Sequence, residues 1–126
     1  MELCIKELRE YIIRPTLVYL QRHSIAAENL LVALAEIHRQ KGNHEKYPGI
    51  FAIDAALHQR VWNQHLAFDP DLASKIRGLA SQREFLNNPH IELTTNLSYA
   101  TAIAWTVYLA YPDCRHAHAT SAATAV

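Results

Sequence analysis

The segment Asn88–Pro112, NPHIELTTNLSYATAIAWTVYLAYP, constrains this chain more than any other. From Leu93 to Tyr111 it carries no charged residue, and Leu93, Leu97, Ala100, Ala104 and Tyr108 recur at helical spacing. Ile103 and Val107 widen that stripe, while Tyr99 and Trp105 add apolar bulk on other sides. A helix apolar nearly all round is buried, either in a protein core or in a bilayer. Asn88 offers an N-cap oxygen, Pro89 suits a first helical position, and Pro112 closes the segment. The uncharged run is nearly long enough to cross a membrane. However, Thr94, Thr95, Asn96, Ser98, Thr101 and Thr106 interrupt it, and no Lys or Arg cluster flanks it to set an orientation. The expectation is a central helix wrapped by shorter ones, with no membrane span. Ala100 and Ala104 would admit close neighbours, and Asn96 would be partly buried and in need of partners.

The remaining segments read as helices too. Leu3 to Ile13 is amphipathic, with Ile5, Leu8 and Ile12 on one face, and Pro15 interrupts it or opens a second turn of helix. Helix then continues from Thr16 to Gln21. Ser24 caps a helix from Ile25 to about Gln40, whose apolar face is Ala27, Leu30, Leu31, Leu34 and Ile37. Lys41 to Tyr47 is polar, and Pro48-Gly49 signals a turn. Asp54 caps a helix to about Leu66, Asp69-Pro70 opens another through about Leu79, and Ser81 to Leu86 adds a turn or two. Strand patterning is weak throughout, and three glycines beside many alanines favour helix. The fold class expected is all-α. The expected organisation is one helical domain over 1–112 and a flexible tail over 113–126, which lacks bulky apolar residues until Val126.

Charge and cysteine content exclude several functions. Lys plus Arg number 12 and Asp plus Glu number 12, so no broad nucleic-acid surface is expected. Cys4 and Cys114 lack the spacing of a disulfide framework and read as reduced thiols. From the acidic, amphipathic start MELCIKELRE no signal peptide is expected. Cys114, His116 and His118 form a C-x-H-x-H cluster, but no fourth ligand accompanies them, so neither a functional metal nor another cofactor is expected. His44-Glu45 begins a zinc-protease pattern that Pro48 breaks. His58 and His65 lie two helical turns apart. Among carboxylates, Glu36 stands on a helix about 200° round from His38, and Glu45 and Asp54 flank the Pro-Gly turn. Spacing alone selects no acid pair of the kind a glycosidase needs.

The order AAENLLVALAE, PGIFAID, LHQRVWNQHLAFDPDL, RGLASQREFL and NLSYATAIA resembles a family of small phage and prophage proteins of lysozyme-like or soluble-lytic-transglycosylase-like character, over about Ile12 to Tyr111. The resemblance implies a lysozyme-like helical domain around one long helix. It also implies a general-acid glutamate at the end of the second helix, where His38 and Arg39 stand in place of Glu-Ser. The family loop of Gly, two apolar residues and Gln is matched by Gly49, Ile50 and Phe51, with Ala52 for the glutamine. Asp54 is similar to an acidic residue of the family, His58 to a histidine, and Asn96 and Tyr99 to an Asn-Leu-x-Tyr-Ala pattern, with Trp105 where an arginine commonly follows.

Three polar positions of the implied cleft are thus replaced by His38, Ala52 and Trp105. A histidine can act as a general acid, but it supplies no negative charge to an oxocarbenium-like transition state. The expected function is binding by a catalytically degenerate lysozyme-like fold, with Tyr47, Phe51, His58, Asn96, Tyr99, His38, Ala52 and Trp105 as the contact residues. The expected partner is another virion protein, as in a tail, or a host protein, with peptidoglycan a further candidate, and the expected location is the virion or the host cytoplasm. The alternative is an active peptidoglycan-cleaving enzyme with Glu36 or His38 as acid and Asp54 in support. A weaker alternative is an unrelated intracellular helical adaptor.

Overall fold

Side-chain caps written into the sequence begin most of the longer helices. In the computed structural model, residues 4–41, 50–51, 53–81 and 88–110 are described. Ser24 Oγ accepts the Ala27 N–H at 3.0 Å and starts α3 (Ile25–Lys41). Asp54 Oδ1 accepts the Leu57 N–H at 2.8 Å and starts α4 (Ala55–Gln64), which a 3-10 turn (Leu66–Phe68) follows. Asp69 Oδ1 accepts the Leu72 N–H at 3.2 Å, and Pro70 opens α5 (Pro70–Leu79). Within α5, a Cβ on Gly78 would come within 2.8 Å of the Tyr19 hydroxyl, which donates to the Lys75 carbonyl at 3.0 Å.

Before these, Cys4 caps α1 (Ile5–Glu7), which runs through a π-helical turn, π1 (Leu8–Ile13), into α2 (Arg14–Tyr19). The Arg14 N–H reaches back five residues to the Arg9 carbonyl. A proline ring clashes with the carbonyl four residues earlier, and the wider turn ahead of Pro15 relieves that clash. The helix therefore widens at Pro15 instead of breaking. It stops two residues before the expected Gln21, because Gln21 turns left-handed at φ 61°. There the Arg22 N–H donates to the Leu17 carbonyl at 2.9 Å and the Gln21 N–H to the Val18 carbonyl at 3.0 Å, closing a Schellman motif. Gln21→Gly, which removes the steric cost of that conformation, should raise stability by about 1 kcal/mol in urea unfolding.

The segment read as one long helix is divided. A 3-10 turn (Pro89–Ile91) leads into α6 (Glu92–Thr95), and α7 (Leu97–Ala110) starts afresh after Asn96, whose ψ of 95° leaves the helical region. The cause is a competition that Asn96 wins for the cap. Its Oδ1 accepts the Tyr99 N–H at 3.0 Å, while its Nδ2 donates to the Leu79 carbonyl and to Glu92 Oε2, both at 2.8 Å. Asn88 makes no side-chain cap bond. Asn96 thus finds the partners that a half-buried amide requires.

α7 is the core of the fold and touches π1, α2, α3, α4 and α5. Tyr99, Ile103, Ala100, Ala104, Val107 and Tyr108 are buried along it, against Leu8, Ile13, Leu17, Leu31, Val61 and Ile76 of the surrounding helices. Its two buried threonines satisfy their hydroxyls on their own helix: Thr101 donates to the Leu97 carbonyl and Thr106 to the Ala102 carbonyl, each at 2.8 Å. The architecture is all-α, with no strand among the described residues. No helix among them is long and apolar enough to cross a membrane. Of the helical turns expected from Ser81 to Leu86, Ser81 is not helical and residues 82–86 lie outside the described residues, as does the tail over 113–126.

The N-terminal helix is tied to α3 by a carboxylate with no solvent exposure. Glu28 accepts from Arg9 Nη1 at 3.1 Å, from Arg14 Nε and Nη2 at 2.9 and 3.2 Å, and contacts His23 Nε2. The Arg14 hydrogen bonds, joined by His23 and Arg9, outweigh burial and hold its carboxyl down to about 2 from an ordinary 4.5. The folded state therefore takes up this proton later than the unfolded chain, so the stability Glu28 supplies is complete above about 4.5 and is lost as pH falls toward 2. Glu28→Ala should cost about 3 kcal/mol at neutral pH in urea unfolding and flatten the acid limb of the stability profile.

Candidate functional site

Three helical segments bring polar rings together on the side of α7 that faces α4. His58 follows Asp54 by one helical turn, so the Asp54 cap that starts α4 also sets the register of His58 and Trp62. Tyr99 is fixed at the start of α7 by its N–H on Asn96. His90 is carried by the Pro89–Ile91 turn. The Tyr99 hydroxyl lies 2.8 Å from Trp62 Nε1 and 2.7 Å from His58 Nε2, and His58 Nδ1 lies 2.9 Å from His90 Nδ1. His58 meets both His90 and Tyr99 edge-on, with ring centroids 5.0 and 5.6 Å away.

Proton accounting fixes what this chain can hold. Indole nitrogen only donates, so Trp62 donates to Tyr99. Either neutral tautomer of His58 fills its two contacts. In one, the Tyr99 hydroxyl donates to Nε2 and His58 Nδ1–H donates to His90. In the other, His90 donates to His58 and His58 Nε2–H donates to Tyr99. His58 and Tyr99 are both without solvent exposure. Burial first, and His90 second, push the imidazole down to about 4 from 6.5, so His58 is neutral near pH 7. Burial pushes the Tyr99 phenol up, with Glu92 adding to the effect and Trp62 and Arg77 opposing it.

Beside this chain lies a small open pocket of about 240 Å³, lined by His58, Gln59, Trp62, Pro89 and His90. The Trp62 indole is held in plane at its wall by the bond to Tyr99. Gln59 is exposed, and Trp62, Pro89 and His90 are half-buried, so the pocket offers an aromatic face, a proline ring, an amide and an imidazole to a ligand. Among the described residues no carboxylate lines it.

The residues singled out in the sequence are dispersed about this centre. His58 and Tyr99 are joined directly, and Asn96 positions Tyr99. Phe51 is buried in the core, as are Tyr99 and His58. Trp105 is half-buried against the core outside this hydrogen-bonded set, and its Nε1 meets no acceptor among the described residues. Asp54 is an exposed helix cap, and Glu36 is half-buried on α3. Tyr47, Ala52 and the side chain of His38 lie outside the described residues, as do Cys114, His116 and His118. Among the described residues no three His, Cys, Asp or Glu side chains are grouped to hold a metal. Gln59, Trp62, Pro89 and His90 were not legible as site residues, because only the meeting of α4 with a turn some thirty residues later makes them one. Comparison with protein families, characterised proteins and solved structures finds no match for this chain.

Tyr99→Phe keeps the ring and leaves Trp62 Nε1 and His58 Nε2 without their shared partner. It should cost about 2 kcal/mol in urea unfolding, well beyond the loss of a hydroxyl exposed to water.

Proposed function

We propose that this is a phage-type protein with a lysozyme-like helical scaffold that acts by binding, with cleavage of peptidoglycan abandoned. The observation that carries this reading is the state of the carboxylates. A glycosidase acid needs a carboxyl raised in pKa at the edge of a cleft. Among the described residues the pocket beside His58 has none, and the fully buried Glu28 is held near 2 by arginine. Glu92, also buried, is occupied by the Ser81 N–H at 2.9 Å and by Asn96. Asp54 spends one carboxylate oxygen on its helix. The contact surface in this reading is the pocket wall of Gln59, Trp62, Pro89 and His90, an aromatic and amide-bearing surface of the kind that partner side chains dock into. The partner is a second virion protein or a host protein, met in the virion or the host cytoplasm.

The test is muropeptide release. Folded protein incubated with purified sacculi, beside an active muramidase, should release no soluble product detectable by mass spectrometry. Anhydro or reducing-end muropeptides above background would overturn the reading, and their loss in Glu36→Gln or His38→Ala would then name the acid.

A further inference from the structure

The Pro89–Ile91 turn is three residues long and has no side-chain cap from Asn88. Among the described residues it is joined to α4 by a bond between identical groups, His90 Nδ1 and His58 Nδ1 at 2.9 Å. Such a contact holds only while one proton lies between the two nitrogens. Two neutral rings satisfy it, and so does a pair carrying a single positive charge. When both rings are charged, each nitrogen carries a hydrogen and the contact becomes a repulsion. We propose that His58 and His90 form an acid-operated latch that holds the Pro89–Ile91 turn against α4 and, when both rings are charged, releases it and widens the pocket beside Trp62.

The surroundings favour release over tolerance of the charge. The titratable groups facing His58 are His90 from the 3-10 turn and Tyr99 from α7. Glu92 from α6 and Arg77 from α5 act on Tyr99, and Glu92 already accepts from Ser81 and Asn96. Among the described residues no carboxylate faces His58 to stabilise an imidazolium, and the ring has no solvent exposure. His90, half-buried at the pocket rim, is the member that can move into water. The latched form holds His58 near 4, against 6.5 for a free imidazole. The released form therefore binds more protons across that interval, and lowering the pH through it weakens the latch. The latch does not depend on what the pocket holds.

Trp62 reports the event, since it lines the pocket and is one of two tryptophans in the chain. In a Trp105→Phe background, its emission should shift reversibly to the red as pH falls from about 6.5 to 4, while far-UV circular dichroism keeps its helical signal. His90→Gln in the same background should abolish the shift. No shift by pH 4, a shift that coincides with loss of helix, or a shift that survives His90→Gln would overturn the latch. Should the Trp105→Phe protein not fold, imidazole proton–nitrogen correlation spectra of the unsubstituted protein decide instead. Coupled titration of the two rings, with shifts in the His90 and Ile91 amides, supports the latch, and independent titration with unmoved amides overturns it.

Discussion

A phenol oxygen shut off from water must find its partners inside the protein, and Tyr99 finds two of them on one helix. Trp62 and His58 stand four residues apart on α4, so they lie on the same face and converge on one atom of α7. That convergence fixes the distance and rotation of α4 against the central helix more sharply than apolar packing alone could. It also fixes the indole plane of Trp62 and the imidazole of His58, and through His58 the position of His90. The pocket therefore has its shape because the hydroxyl beneath it has no alternative partners in solvent.

The two buried carboxylates do a different task. Glu28 gathers Arg9, Arg14 and His23 and pins the N-terminal helix, with its π turn, onto α3. Glu92 gathers the Ser81 N–H and the Asn96 amide and ties the end of α5 to the start of α7. In each the carboxylate oxygens are taken up as hydrogen-bond acceptors. A polar interior of this kind holds a small helical fold in one arrangement.

Features set by near neighbours in the chain were legible in the sequence. Ser24, Asp54 and Asp69-Pro70 announce their helices because a cap is a contact over three residues. The all-α class and the burial of most residues from Tyr99 to Tyr108 follow from periodicity and the missing charges. Asn96 was recognisable as a half-buried amide needing partners, but its choice of the Tyr99 N–H, which divides the expected long helix, depends on the Leu79 carbonyl and Glu92 being in place. Glu28 carries no sequence signal of its role, because Arg9, nineteen residues earlier, and Arg14 come beside it only in the fold. His58 was visible as a candidate, whereas His90, 32 residues later, was visible only as part of a helix start. Gln21 ends its helix without the glycine that would have marked the place.

The claim on which this account rests is that the Tyr99 hydroxyl holds the site together from within. The direct measurement is hydrogen exchange of the Trp62 indole N–H by NMR at neutral pH. The account predicts that this proton, although on a half-buried side chain, is protected to a degree comparable with the amides of α7, because it exchanges only when α4 and α7 part. Exchange at the rate of a free indole, with the α7 amides still protected, would show that the bond to Tyr99 does not hold and would contradict the account.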